Sequence, residues 1–318
     1  MTTSPPTLAE RFTGCLLGLA VGDALGAHFE AQPAEFIARR YRAPRELLDD
    51  PPEGRYCYTD DTQMAIGVAE TLIACGCIDE AEICRRFAAN YVPSRGYGRG
   101  ARVVLDAMVE GGDHRYWAEN LFPGGSHGNG AAMRVAPVGL LFRDDPSALW
   151  TQARLSALPT HVHPLGVEGA QVLALAVAHA SRAENFARPE FFAALAESCQ
   201  LLEYAGPLRR AARVEHLRDL ALFGNGIAAA DSVVTAIACF GHTPDSYELT
   251  IANAILLGGD TDTIAAMAGA ISGAFLGRQA IPQFLIDRLE DGYQGRTYIE
   301  KLSAGLLAAY EKAKGQKP

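Results

Sequence analysis

The chain has no basic tract. Its 28 Lys and Arg stand against 37 Asp and Glu, for a formal charge of −9, so the electrostatic footprint of a nucleic-acid-binding surface is missing. Direct binding to a bare phosphate backbone is not expected. The N-terminus, MTTSPPTLAERF, has no cationic stretch followed by an apolar core, and the apolar run that starts near Gly14 is broken by Asp23. Neither secretion nor a membrane span is expected, and the protein reads as cytoplasmic. The seven cysteines are odd in number, and Cys75 and Cys77 lack both the C-x-x-C spacing and a second ligand pair, which argues for reduced thiols over disulfides or structural zinc. No Lys-Ser/Thr follows the glycine-rich loops, so there is no P-loop, and no G-x-S-x-G marks a serine nucleophile. An acidic protein can still hold a phosphate-bearing ligand where backbone amides, helix starts or a metal ion supply positive potential locally.

Strand signals are sparse, and what is present has helical period. Leu8, Phe12, Cys15, Leu16 and Leu19 share one face, as do Met64, Val68, Thr71 and Leu72. Ala-rich runs such as AQVLALAVAHASRA and TIAAMAGAISGAFLG are too long for strands, so an all-α globule with several fully buried helices is expected. Gly14, Gly18, Gly22 and Gly26 recur every fourth residue, as do Gly269, Gly273 and Gly277. Each set lies on one helical face, and because glycine costs about 1 kcal/mol per site relative to alanine, the stripes imply backbones packed in close approach. Candidate loops are Pro44 to Tyr58, Pro93 to Arg99 and Asn120 to Gly130; none resembles a linker and no repeat is evident, so residues 1–318 are expected to form one domain and a monomer.

YTDDTQMAIGVAETL and GGDTDTIAAMAGAISGAF each place two aspartates among threonines at the start of an amphipathic helix. Helix capping explains one side-chain oxygen at such a place. Two carboxylates and two hydroxyls are a surplus, and all-oxygen sets select hard ions such as Mg²⁺, Mn²⁺ or Ca²⁺, with room for two in the manner of binuclear hydrolases. Glu30 follows the first glycine-laced helix, and it shares a face with Asp23 if that helix continues so far. FPGGSHGNGAAMRVAP is a loop whose amides can cradle pyrophosphate or form an ordinary Asn-Gly turn, while Arg134 reads as an internal ion pair. His161 and His163 read as hydrogen-bonded structural residues, with Glu168 the one acid close enough to complete a zinc set.

GCLLGLAVGDALGAHFE, YTDDTQMA, SHGNGAAMRVAP, THVHPLGVEGA and LLGGDTDTIAAMAGAISGAF, in this order, resemble the ADP-ribosylglycohydrolase family. SRGYGRG and FGNGIAAADSVVTAIACF look most like the branch acting on serine-linked ADP-ribose and poly(ADP-ribose). The resemblance implies an orthogonal multi-helix fold and a hydrolase for ADP-ribose or ADP-ribosylated protein. It implies two Mg²⁺, with Mn²⁺ a substitute, on Thr59, Asp60, Asp61, Asp260, Asp262 and Thr263, and Glu30 as the catalytic acid or base. Gly98, Gly125, Ser126, Gly128 and Asn129 fall where that branch holds phosphates and distal ribose, and His161 and Ile227 match further ligand contacts. His127 departs from the pattern, standing where the branch usually has an aromatic that stacks on adenine, with Leu121 or Phe122 opposite. The implied chemistry is hydrolysis at the distal anomeric carbon through an oxocarbenium-like state. An N-glycosidic arginine specificity, as in the activators of ADP-ribosylated nitrogenase reductase, is the alternative, and a non-catalytic, crystallin-like member is a third.

Overall fold

The computed structural model describes residues 5–315 as helices joined by turns and short 3-10 segments. Among the described residues the extended pairings are isolated bridges, Pro33 with Gly258, Tyr56 with Leu289 and Gly128 with Ala228. The longest helices are α1 (Leu8–Gly26), α2 (Asp60–Cys75), α3 (Pro164–Arg182), α4 (Ala229–His242), α5 (Thr261–Leu276) and α6 (Arg296–Gly315). Burial is nearly continuous along α1 and α5, which form the centre of one hydrophobic core. No helix among the described residues is long and apolar enough to cross a membrane.

The glycine stripes explain how the centre closes. A Cβ on Gly14 would lie 2.4 Å from the Gly273 carbonyl oxygen, on Gly18 2.4 Å from that of Gly269, on Gly22 2.2 Å from that of Ala265, and on Gly26 2.5 Å from that of Thr261. Rising numbers on α1 meet falling numbers on α5, so the two helices run antiparallel with their backbones in contact. The C-terminal end of α1, which carries Asp23 and leads to Glu30, therefore lies beside the start of α5, which carries Asp260 and Asp262. At the other end the buried Arg11 guanidinium donates to the Phe275 carbonyl at 2.8 Å and the Ala183 carbonyl at 2.8 Å, satisfying acceptors orphaned at the ends of α5 and α3.

Several local expectations are corrected. Pro44–Asp49 is a short helix inside the stretch read as loop, with proline in its first turn. Because α1 ends at Gly26, Asp23 and Glu30 share no helical face; Asp23 is fully buried and Glu30 is exposed. Among the described residues Arg134 has no carboxylate partner. It is fully buried, donates to the Ser156 carbonyl at 2.7 Å and lies 4.7 Å over the Phe87 ring. Glu168 accepts the backbone N–H groups of Gln200 and Leu201 at 2.8 and 2.9 Å, and His163 Nδ1 accepts that of Leu165 at 3.2 Å. Both side chains are thereby committed to helix starts rather than to a zinc set with His161.

Candidate metal centre

Neither aspartate pair caps its own helix. At the start of α2 the capping acceptor comes from another element: the buried Asp23 carboxylate of α1 accepts from Thr59 N at 2.9 Å, Thr59 Oγ1 at 2.8 Å, Thr62 N at 3.0 Å and Thr62 Oγ1 at 2.5 Å. Asp60 and Asp61 are thus released from that duty. At α5 the position before the helix is Asp260 itself, which makes no side-chain cap. Its carboxylate instead accepts a close hydrogen bond from Asn129 Nδ2, which also donates to Ser232 Oγ at 3.0 Å. The Asp260 N–H donates to the Asn225 carbonyl at 2.8 Å, and Ala31 and Gly259 are tied by Ala31 N–H to the Gly259 carbonyl and Gly259 N–H to the Gln32 carbonyl, both 2.8 Å. The Glu30 turn and the Gly-Gly-Asp turn are therefore one hydrogen-bonded unit.

These contacts gather the acids. One carboxylate oxygen from each of Glu30, Asp260 and Asp262 lies within 4.8 Å of the others. Asp61 Oδ2 accepts from Thr59 Oγ1 at 3.1 Å and from Thr263 Oγ1 at 3.4 Å. Asp61 Oδ1 and Asp262 Oδ1 are buried with no donor at all. Burial, then repulsion from Asp23, pushes Asp60 up to about 7; burial, then Asp260 and Glu30, pushes Asp262 up to about 9. Burial followed by Asp23 holds Asp61 well above the carboxylate range, and burial raises Asp260. Partial desolvation, then Asp260, raises Glu30. Carboxylates with unmet acceptors that resist ionising together are the donor set a hard divalent cation satisfies, so the residues fit a metal.

The centre forms one end of a cavity of about 350 Å³. Of the residues expected in the site, Glu30, Asp60, Asp61, Gly98, Ser126, Gly128, Asn129, His161, Ile227, Asp260, Asp262 and Thr263 line it. Thr59, Gly125 and His127 do not. The Thr59 hydroxyl is spent on Asp23 and Asp61, and the exposed His127 ring packs edge-on to His163, centroids 5.7 Å apart. Gly125, at φ +90°, is pressed against Val162, where a Cβ would come within 2.3 Å of Cγ2. The His161 ring sits under the glycine loop: a Cβ on Gly130 would be 3.0 Å from its Cε1. Thr160 Oγ1 lies 2.7 Å from His161 Nδ1, and burial followed by Arg134 drives the imidazole down to about 3, so it is neutral.

Sequence reasoning missed the cap supplied by Asp23, the burial of the Arg134 cation on the cavity wall, and the part that Val104, Trp117 and Ala118 play in the apolar wall, where Leu121 and Phe122 were expected. An aromatic pair, Tyr116 and Trp117, in a short polar segment was the available signal for that wall.

A helical scaffold whose cavity joins a cation-seeking carboxylate cluster to an apolar wall has the parts of a glycosidase-type hydrolase. Residues 4–316 match the ADP-ribosylglycohydrolase family, and the chain belongs to it. It is 36% identical to the ADP-ribosylhydrolase ARH3 of Homo sapiens over 86% of this chain and 87% of that protein. It is 35% identical to that of Bos taurus over 96% and 94%. The ADP-ribosyl-[dinitrogen reductase] glycohydrolase of Rhodospirillum rubrum is 30% identical over 90% and 92%. A solved structure titled ADP-ribosylglycohydrolase-related protein complex matches with a TM-score of 0.69 at 29% identity, over 95% of this chain and 99% of that one.

Proposed function

We propose that the chain is a magnesium-dependent ADP-ribosylhydrolase that cleaves the O-glycosidic bond at the distal ribose of serine-linked ADP-ribose, poly(ADP-ribose) or O-acetyl-ADP-ribose. The observation that carries this reading is the release of Asp60, Asp61, Asp260 and Asp262 from capping, with two inward oxygens left without donors. These aspartates, with Thr263, would hold two Mg²⁺ ions, Mn²⁺ being a substitute, while Thr59 steadies Asp61 from behind. When bound, the ions supply Lewis acidity and offset the cluster's charge beside an oxocarbenium-like centre.

The remaining work falls to the protein. Glu30, at the cavity mouth with a raised carboxyl, moves the proton at the anomeric centre. Asn129 keeps Asp260 in place while lining the cavity with Ser126 and Gly128, where donors for a pyrophosphate are needed. Neutral His161 contributes a ring nitrogen without adding charge. With His127 turned onto His163, adenine stacking passes to Trp117 and Phe122.

Arginine-linked ADP-ribose is the second reading, favoured by the likeness to the Rhodospirillum rubrum enzyme. Release of ADP-ribose from serine-modified peptide, arginine-modified peptide and polymer, each with Mg²⁺ and with EDTA, separates the two. Faster arginine-peptide hydrolysis would overturn the O-glycosidic assignment, and undiminished turnover in EDTA the magnesium one.

A further inference from the structure

The loop of residues 92–98 crosses the start of α2 and is tied to it at both ends. Buried Gln63 of α2 accepts the Val92 N–H at 3.0 Å and the Tyr97 hydroxyl at 2.8 Å through one side-chain oxygen. Between these ties the Arg95 guanidinium donates to the Tyr58 carbonyl at 2.7 Å and lies 3.9 Å over the Tyr58 ring. Arg95 also pairs through both Nη atoms with the Glu290 carboxylate, Nη2 to Oε2 at 3.1 Å, and Glu290 Oε1 accepts the Tyr58 N–H at 3.0 Å. The Tyr58 hydroxyl donates to the Gln294 carbonyl at 3.2 Å. Every polar group of Tyr58, together with its ring, is thus held by residues far away in the chain. The pair is not a surface decoration, since 18% of the Arg95 side chain and 14% of the Glu290 side chain are exposed.

What the clamp encloses is the entry to the carboxylate cluster. Tyr58 directly precedes Thr59 and Asp60, and Arg95 directly precedes Gly96. At Gly96, with φ +89°, a Cβ would stand 3.5 Å from Asp60 Oδ1 and 3.6 Å from Thr59 Cβ. Asp60, Gly96 and Gly98 line the cavity, whereas Arg95 and Glu290 do not. The Asp23 cap grips Thr59 and Thr62 but leaves the Tyr58 carbonyl and the loop to Arg95. We infer that Arg95 and Glu290 are positioning residues: acting through Tyr58, they set Asp60 against the edge of the ligand cavity formed by residues 96–98. Lysine cannot take the place of Arg95, because one ammonium does not serve two carboxylate oxygens and a carbonyl in a fixed planar fork.

The effect on metal and ligand rests on the proposed function, whereas the effect on local order does not. Three measurements on the full chain, in wild type, Arg95→Lys and Glu290→Gln, test the assignment. In metal-free protein, amide hydrogen exchange across residues 56–63 is expected to quicken about tenfold in Arg95→Lys while residues 261–264 exchange as in the wild type. With Mn²⁺ as probe, the free ion read by paramagnetic resonance, the Kd is expected to rise about tenfold in each variant, as for loss of a partner that orients a metal ligand. The Kd of ADP-ribose in saturating Mg²⁺, from calorimetry, is expected to rise as well. The double variant is expected to bind no worse than the weaker single one, because the two residues act as one unit. A pair that only holds the fold together would lower Tm and leave both Kd values alone. Unchanged exchange across residues 56–63 in Arg95→Lys, or wild-type Kd values for both probes in that variant, overturns the assignment. A wild type that binds neither probe sinks the proposed function instead, and the exchange measurement still upholds or overturns the clamp.

Discussion

The two halves of the acidic centre look alike in sequence and are supported in different ways. The Asp60–Asp61 half stands on a helix whose start is gripped by a carboxylate from the central helix, with Thr59 and Thr62 each donating twice to buried Asp23. The Asp260–Asp262 half stands on the other central helix, but its orientation comes from loops: Asn129 of the glycine-rich segment, the Asn225 carbonyl, and the turn that carries Glu30. One half is part of the core. The other depends on segments that also line the ligand cavity, so its geometry and ligand binding are expected to be linked.

The comparison is broken most severely at Asp23. Asp23→Ala leaves the Thr59 N–H and both Thr62 donors without an acceptor in a buried site, the Thr59 hydroxyl keeping Asp61, and hydrogen bonds to a charged group contribute about 1.5–3 kcal/mol each before relaxation. A loss of about 3–5 kcal/mol is expected, with a fall in Tm of roughly 10 °C or more. Thermal melting in saturating Mg²⁺ checks it. A shift as small as that of a surface substitution would mean that α2 does not depend on α1 for its start.

Next comes Asp262→Asn, which touches the loop-supported half without removing a cap. Turnover is expected to fall by about a hundredfold or more, the cost of replacing a charged metal ligand by a neutral one. In EDTA near pH 8 the variant is expected to melt above the wild type, because one of the mutually repelling acids is gone. Near-wild-type turnover at saturating Mg²⁺ would remove Asp262 from the metal set, and a lower metal-free Tm would deny the repulsion.

Asn129→Ala probes the loop support itself. It deletes the donor to Asp260 but leaves every acid in place, so activity is expected to drop by about tenfold, the low end for removing a partner that orients a metal ligand. Stability is expected to change by about 1 kcal/mol. Tm and turnover measured on one preparation distinguish this from Asp23→Ala, where stability carries the larger share.

Much of this was legible in the chain. The helical class follows from apolar period, and the tight central contact from glycines every fourth residue, because only backbone approach rewards such a stripe. The paired aspartates also stood out, as a surplus over what capping needs. Trans contacts were not legible. That Asp23 caps α2, that Glu168 accepts the amides at the start of the helix Leu202–Ala211, and that Arg134 is buried over Phe87 without an acid among the described residues all depend on which elements pack together, and no local spacing encodes it. The place of Trp117 in the aromatic wall was missed for the same reason, since it reaches the cavity from a seven-residue helix with no strong period.

The smallest expected effect concerns how stability from Mg²⁺ varies with pH. Without metal, Asp60 and Asp262 have folded values raised to about 7 and about 9 from a carboxylate's ordinary 3.8. Groups raised in this way contribute stability that is complete below the unfolded value and is lost as pH climbs through the folded ones. The metal-free protein therefore loses stability from the centre between about pH 4 and pH 9, over which the folded carboxyls hold protons that the unfolded chain has already released. Bound Mg²⁺ removes that loss, and at lower pH it must also displace protons to bind, so both effects act in the same direction. The gain in Tm from saturating Mg²⁺ over EDTA is expected to be larger at pH 8.5 than at pH 6, by a few degrees, about what 1–2 kcal/mol produces in a chain of this size. The difference is expected to shrink in Asp262→Asn, which lacks the carboxyl raised to about 9. A gain that is equal at both pH values, or larger at pH 6, would mean that the centre holds its charge without a cation and that the two halves are not pushed apart at all.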